Sequence, residues 1–198
     1  MSEQVRHTTF ARMLHWGFVG LYIYGIVKQV NDLEDLEEDA LLVFEAAFAS
    51  VFLLIVIIRY SYMKQFEAFL GATAPIHLVH RRLARSVHLG MYGSFVLLPV
   101  SGLMIAALYT QGHHEGHGTM MAWTLAVHSA AASLSYILIA VHVAAAVYSR
   151  LKGEGVWSSM VPVLEERGPT TNEMVMNIAM VEERCYDTIE RLMSRKPS

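Results

Sequence analysis

With 198 residues the chain is long enough for one domain of ordinary size, yet 54% of it is hydrophobic and only 17% is charged, and the apolar residues come in blocks. A net charge of −3, with no basic stripe, excludes nucleic acid as a partner. The single cysteine, Cys185, excludes a disulfide framework and any multi-cysteine metal site, while ten histidines and twelve methionines offer nitrogen and thioether donors.

A helix needs roughly 20 mostly apolar residues to cross a bilayer, and four segments reach that length. The first, about 13–30 (MLHWGFVGLYIYGIVKQV), has no small-residue cleavage site and is expected to be retained as a membrane helix, with Lys28 near its end reaching for the interface. The second, about 40–58, contains one acid, Glu45. The third, about 86–109, includes Pro99 and Gly102, which membrane helices tolerate because neighbours re-satisfy the freed backbone groups. The fourth runs from about 120 to 149. The second and third segments have no amphipathic face, which argues against a soluble bundle.

The connecting segments predict an orientation. Arg6 and Arg12 precede the first span, Arg59, Lys64, Arg81, Arg82 and Arg85 lie between the second and third, and Arg150 and Lys152 come after the fourth. The first loop (NDLEDLEED) and the third carry no basic residue. Arg and Lys favour the cytoplasmic side, so both termini are expected there.

Ionisable residues inside spans are functional candidates by default. His15 lies near the cytoplasmic end of the first span. On the fourth, His128 and His142 are 14 residues apart, about 21 Å of rise, and return to within about 40° of one face. One helix thus offers two imidazoles, one near each membrane surface. Small residues around them let a flat macrocycle approach the backbone. Two imidazoles complete a low-spin haem, and His15, His88 and His142 lie at similar depth, so one is surplus. We take it to be His88, as a quinone hydrogen-bond partner, a propionate contact or a packing residue. His77 and His80 flank Arg81 and Arg82, a surface suited to lipid headgroups or haem propionates. His113, His114, Glu115 and His117 form a compact cluster that reads either as a copper or zinc site or as a solvated loop, since its glycines fix no geometry.

These residues resemble the bacterial cytochrome b561 family and the related cytochrome b subunits of formate dehydrogenases and hydrogenases. The matching pieces are Leu14-His15-Trp16, Arg59, His88-Leu89-Gly90-Met91-Tyr92, Leu98-Pro99-Val100-Ser101-Gly102-Leu103, His128, Tyr136 and Val141-His142 with the alanines at 144–146. They span about residues 8–162. The resemblance implies that His15 and His142 ligate a haem b on the cytoplasmic side. It also implies an outer haem between a helix-two histidine and His128. Helix two has no histidine, however, and the matching position is Glu45. A carboxylate is a poor axial partner, so either the outer haem is absent, which we favour, or its second ligand comes from elsewhere, with the 113–117 loop, Met120 and Met121 as candidates.

Beyond a polar joint (EERGPTT), residues 172–193 predict an amphipathic helix, with Thr170 and Glu173 as a capping box. Its apolar stripe comprises Met174, Ile178, Val181, Cys185, Ile189 and Leu192. The membrane surface, a second copy or another subunit would cover that stripe. Acids balance Arg184, Arg191, Arg195 and Lys196, which favours a protein partner.

The expected whole is an all-α membrane protein, a four-transmembrane-helix bundle with a C-terminal amphipathic helix, divided into a membrane domain (1–162) and a cytoplasmic tail (163–198). It would sit in the bacterial inner membrane and hold one haem b, with two left open. It would exchange electrons with quinone on the cytoplasmic side within a respiratory assembly. A self-standing two-haem quinone oxidoreductase and a structural accessory subunit are the alternatives.

Overall fold

In the computed structural model the chain's regular structure is helical, and the structure describes residues 7–28, 33, 36, 39–65, 72, 77–114, 118–166 and 168–194. Four helices, α1 (Thr9–Val27), α2 (Asp39–Met63), α3 (Leu78–Thr110) and α4 (Thr119–Lys152), are each long and apolar enough to cross a membrane. The short α5 (Val156–Met160) and the 22-residue α6 (Glu173–Ser194) complete the order. Among the described residues there is no strand. The four expected spans and the C-terminal helix are present, and the chain is a multi-pass membrane protein.

The helix ends depart from the hydropathy boundaries for local reasons. α1 begins four residues ahead of its apolar run because Thr8 caps it, its Oγ1 accepting the Ala11 N–H at 3.1 Å. α3 begins at Leu78, eight residues early: Leu, Ala and Arg are good helix formers, and hydropathy cannot register a helix that continues out of the lipid. At 1.5 Å per residue α3 and α4 are each about 50 Å long, against a hydrocarbon core of about 30 Å. The capping box expected for α6 is not formed. Asn172 is the cap instead, its Oδ1 accepting the N–H groups of Met174 (3.0 Å) and Val175 (3.3 Å). Thr170 Oγ1 takes the Asn172 N–H.

The chain divides into two compact units. One comprises residues 13–65 and 89–139. Within it α3 turns a buried face inward through Met91, Ser94, Phe95, Ser101, Ile105 and Leu108, positions that the helical repeat brings to one side. Phe95 packs its ring on Phe18 (4.9 Å) and Tyr22 (5.3 Å), and Phe18 meets Phe52 at 5.2 Å. The Tyr22 hydroxyl donates to Ser135 Oγ at 2.6 Å, and Ser135, itself fully buried, donates on to the Ala132 carbonyl. Gly90 leaves room for Leu138, whose Cδ1 would lie 2.9 Å from a β-carbon there. A second cluster gathers Leu36, Ile105, Leu108, Tyr109 and Met121.

The other unit comprises residues 1–12, 66–88 and 140–198. The end of α4 is bonded to Leu164 and Thr170, beyond α5: Arg150 Nε donates to the Leu164 carbonyl, and the Thr170 N–H to the Lys152 carbonyl. Trp157 Nε1 on α5 donates to the Val163 carbonyl. Gly153 has a left-handed φ of 76°, and a β-carbon on it would collide with the Gly168 backbone, so only glycine fits this close crossing. α5 escaped the sequence reading because five residues are too few to show a period.

Here α6 is fastened to the ends of two spans by its polar side. Glu182 accepts hydrogen bonds from Tyr148 Oη and Lys152 Nζ, both at 2.9 Å, and faces His80 Nδ1 at 3.8 Å. Glu190 accepts the Leu78 N–H at 2.8 Å and lies 3.6 Å from His77. The ring of Tyr186 packs on both histidines. Burial pushes the Glu182 carboxyl up, but the hydrogen bonds from Lys152 and Tyr148 and the Lys152 charge outweigh it and hold it below the ordinary glutamate range.

Two outcomes are expected for α6. Glu182→Gln weakens its attachment by about 1 kcal/mol, seen as roughly five-fold faster amide hydrogen exchange across 173–194. Because the folded carboxyl titrates below its unfolded value, its contribution is complete above the ordinary glutamate range and is lost as the pH falls through the lower folded value. Exchange that is unchanged in Glu182→Gln would show that Glu182 does not fasten the helix.

Candidate functional site

The polar side chains on the apolar helices are few, and the structure pairs them. In the unit of residues 13–65 and 89–139, Arg59 near the end of α2 points its Nη2 at His15 Nδ1 on α1, 2.7 Å away. Arg59 is 8% exposed, so its guanidinium is a charge taken out of solvent. Its remaining surroundings are aromatic, with Phe18 and Tyr92 ring centres at 5.3 and 5.4 Å. No carboxylate pairs with it among the described residues, and its Nε has no hydrogen-bond partner there. A guanidinium only donates, so His15 Nδ1 must accept, which places that ring's proton on Nε2.

His128 has the opposite arrangement. Its Nδ1 lies 2.9 Å from Ser101 Oγ on α3. The one hydroxyl proton of Ser101 is directed at the backbone, 2.6 Å from the Leu97 carbonyl and 3.0 Å from that of Leu98. His128 is therefore the donor in the pair, and its Nε2 keeps its lone pair. A metal-ligating imidazole has this state, with one nitrogen tied to an acceptor and the other available. Pro99 lies two residues before Ser101 inside α3, where it leaves a backbone acceptor without its usual N–H.

Glu45, expected to stand in for an axial histidine, is bonded elsewhere. Lys28 Nζ donates to its Oε1 at 2.8 Å and sits 3.4 Å over the Phe44 ring. Lys28 thus pairs with Glu45, where the sequence reading had it only reaching for the interface. Phe48 is packed against α1, within 3.2 Å of where a β-carbon on Gly25 would lie.

The unit of residues 1–12, 66–88 and 140–198 brings together two of the expected site residues. His88 on α3 and His142 on α4 are half-buried with their ring centres 5.1 Å apart, edge to face.

The candidate outer ligands have other surroundings. Met121 is fully buried in an apolar cluster, and Met120 is exposed. His113 and His114 are exposed, and His114 sets its ring edge-on to Tyr109 at 4.4 Å. Glu115 and His117 lie outside the described residues, as do most of the acidic first loop, Arg6, Arg195 and Lys196. No group of three or more metal-ligating side chains occurs among the described residues.

Sequence reasoning did not find the Arg59–His15, Lys28–Glu45 or Ser101–His128 pairs. The available signal was the rarity of each polar residue in an apolar span, which implies a partner without naming it.

A family model described as prokaryotic cytochrome b561 matches residues 6–163, a stretch that includes all four spans and stops ahead of α6. No curated protein and no solved structure matches the chain. With four membrane-crossing helices carrying paired histidines and that match over most of its length, the chain belongs to the prokaryotic cytochrome b561 family, haem b electron-transfer proteins of the bacterial membrane.

Proposed function

We propose that the chain carries one haem b, held by His15 and His142, and exchanges electrons with quinone at the cytoplasmic side of the membrane. The ligand pair rests on the sequence pattern and the family. The observation that carries the reading is Arg59. A guanidinium out of solvent, with aromatic faces around it and no described carboxylate, calls for an anion. A haem brings two carboxylates, so the residues present fit the group.

The bond between Arg59 and His15 bears on how the ligand is prepared. Coordination through Nε2 needs that nitrogen without its proton, and Nδ1–H then becomes a donor. Arg59 cannot donate to it in that state. Its Nη2 would turn to a haem carboxylate, so the residue that now pairs with His15 would secure the cofactor. The iron supplies one-electron chemistry when bound, and the buried rings of Phe18, Phe52 and Phe95 keep water from the interior of their unit. His88, beside His142, would hydrogen-bond the quinone.

Support for a single haem comes from Glu45. Its bond to Lys28 commits the side chain standing where the family has its outer ligand. The free Nε2 of His128 favours the two-haem alternative, but it lacks an opposing imidazole on α2. With one haem, electrons enter and leave through the same half of the membrane. Quinone would be one reactant and a partner subunit of a respiratory assembly the other. Arg59, Lys64, Arg81, Arg82, Arg85, Arg150 and Lys152 support cytoplasmic termini, because the end of α2, the start of α3 and the end of α4 carry them.

Each role has a distinct outcome. His142→Ala and His15→Ala each lower haem content by at least about tenfold and remove the low-spin optical spectrum. His88→Ala keeps that spectrum and slows reduction by quinol. Loss of haem in His88→Ala, with retention in His15→Ala, would reverse the ligand assignment. Arg59→Gln weakens haem retention by about 1.5 kcal/mol, roughly tenfold, measured by transfer to an apo-haem acceptor. Unchanged retention would remove Arg59 from the cofactor site.

A further inference from the structure

We propose that α6 is a lipid-surface helix, lying at the membrane boundary with its apolar stripe in the outer acyl and headgroup layer. Met174, Ile178, Val181, Cys185, Ile189 and Leu192 recur at steps of three and four, and all six are exposed. The face that is covered is a different one. Val175, Ala179, Glu182, Tyr186 and Glu190 are the less accessible positions, and Glu182, Tyr186 and Glu190 meet Tyr148 and Lys152 of α4 and residues 77–80 at the start of α3. At about 100° per residue the apolar stripe is centred about 100° around the helix from that attachment. The contacts that fasten α6 therefore leave the stripe uncovered.

Where α6 is fastened says what covers it. α3 and α4 are each about 20 Å longer than the hydrocarbon core is thick, and their charged residues mark the ends that project. Arg81, Arg82 and Arg85 lie on the first turns of α3, and Arg150 and Lys152 on the last turn of α4. α6 is bonded to these same turns, at Leu78, Tyr148 and Lys152. That is the headgroup level. The same turns expose the apolar side chains Leu78, Leu83 and Leu151 beside the basic ones, so the lipid-facing surface of the spans continues towards α6.

Charge agrees with this placement. Glu182, Asp187 and Glu190 face Lys152, His80 and His77. Arg81, Arg82, Arg85 and Arg150 on the adjoining turns offset the acids of α6 towards an anionic bilayer surface. The acids that balanced its arginines in the sequence are largely committed to the spans, which removes the argument for a protein partner. α6 lies beyond the stretch matched by the family model, so the placement is a property of this chain's own tail.

Cys185, the only cysteine, sits within the stripe and serves as the reporter. The full-length chain with its haem is placed in nanodiscs of phosphatidylethanolamine and phosphatidylglycerol, and Cys185 is labelled with an environment-sensitive fluorophore. A reference chain carries Arg184→Cys with Cys185→Ala, on the polar side. The Cys185 label should lose at least half its emission to doxyl-labelled phospholipid and little to aqueous iodide, with the reference label behaving in the opposite way. Equal iodide quenching at both positions would put the stripe in water and overturn the proposal. Shielding from both quenchers, or a Cys185-linked dimer on oxidation of unlabelled protein, would put protein over it and also overturn it. Haem content measured on the same samples separates failure of this placement from failure of the electron-transfer reading.

Discussion

In the hydrocarbon core of a bilayer no water is present to satisfy a polar side chain, so each one on a spanning helix needs a partner from the protein or from something the protein binds. The described interior obeys this largely in pairs. Lys28 has Glu45, His128 has Ser101, and Tyr22 has Ser135. Arg59 is the member whose charge is not balanced within the described chain. It has a neutral imidazole and two aromatic faces, and no described carboxylate for a charge that is largely out of solvent. The cofactor of this protein family supplies such an anion, which is why one arginine says more about the site than the histidines do.

The pairs also constrain how the family's pattern is realised here. His128 keeps the protonation state of a prepared ligand, held by a serine whose own proton is directed at the backbone near Pro99. The position opposite it in the family pattern is a glutamate, and the lysine that follows α1 holds that side chain. Adding an imidazole at Glu45 would leave Lys28, whose side chain is about one-third exposed, without the carboxylate it now pairs with. Lys28 thus engages the carboxylate that stands where the family pattern has its outer ligand. The electron-transfer reading confined to one side rests on that local chemistry.

Depth along each span was legible in the sequence, and rotation about it was not. Block hydropathy located all four helices, and the 14-residue spacing placed His128 and His142 in opposite halves of α4. Lys28 and Glu45 were both visible as isolated charges, but pairing them needs the facing of α1 on α2, which periodicity cannot provide when both helices are apolar all round. Arg59 was noted as a matching residue without its neighbour. α6 shows the converse. Its amphipathic period was plain, yet its cap is Asn172 where Thr170 was expected, and the face that fastens it to the spans is the Glu182 side, which the stripe did not indicate. Long-range hydrogen bonds to Tyr148 and Lys152 decided that, and such bonds leave no local signal.

The described interior suits an anionic, imidazole-ligated cofactor, and the reading proposed for it is a single haem. The most direct test is the haem-to-protein ratio of the purified wild-type chain, from its pyridine haemochrome spectrum and quantitative amino-acid analysis. About one haem b per chain is expected, with a low-spin spectrum. A ratio near two would mean that His128 has found a second axial partner despite the Lys28–Glu45 bond, and a ratio near zero would mean that Arg59 is satisfied by something other than haem. Either result would overturn the one-haem reading.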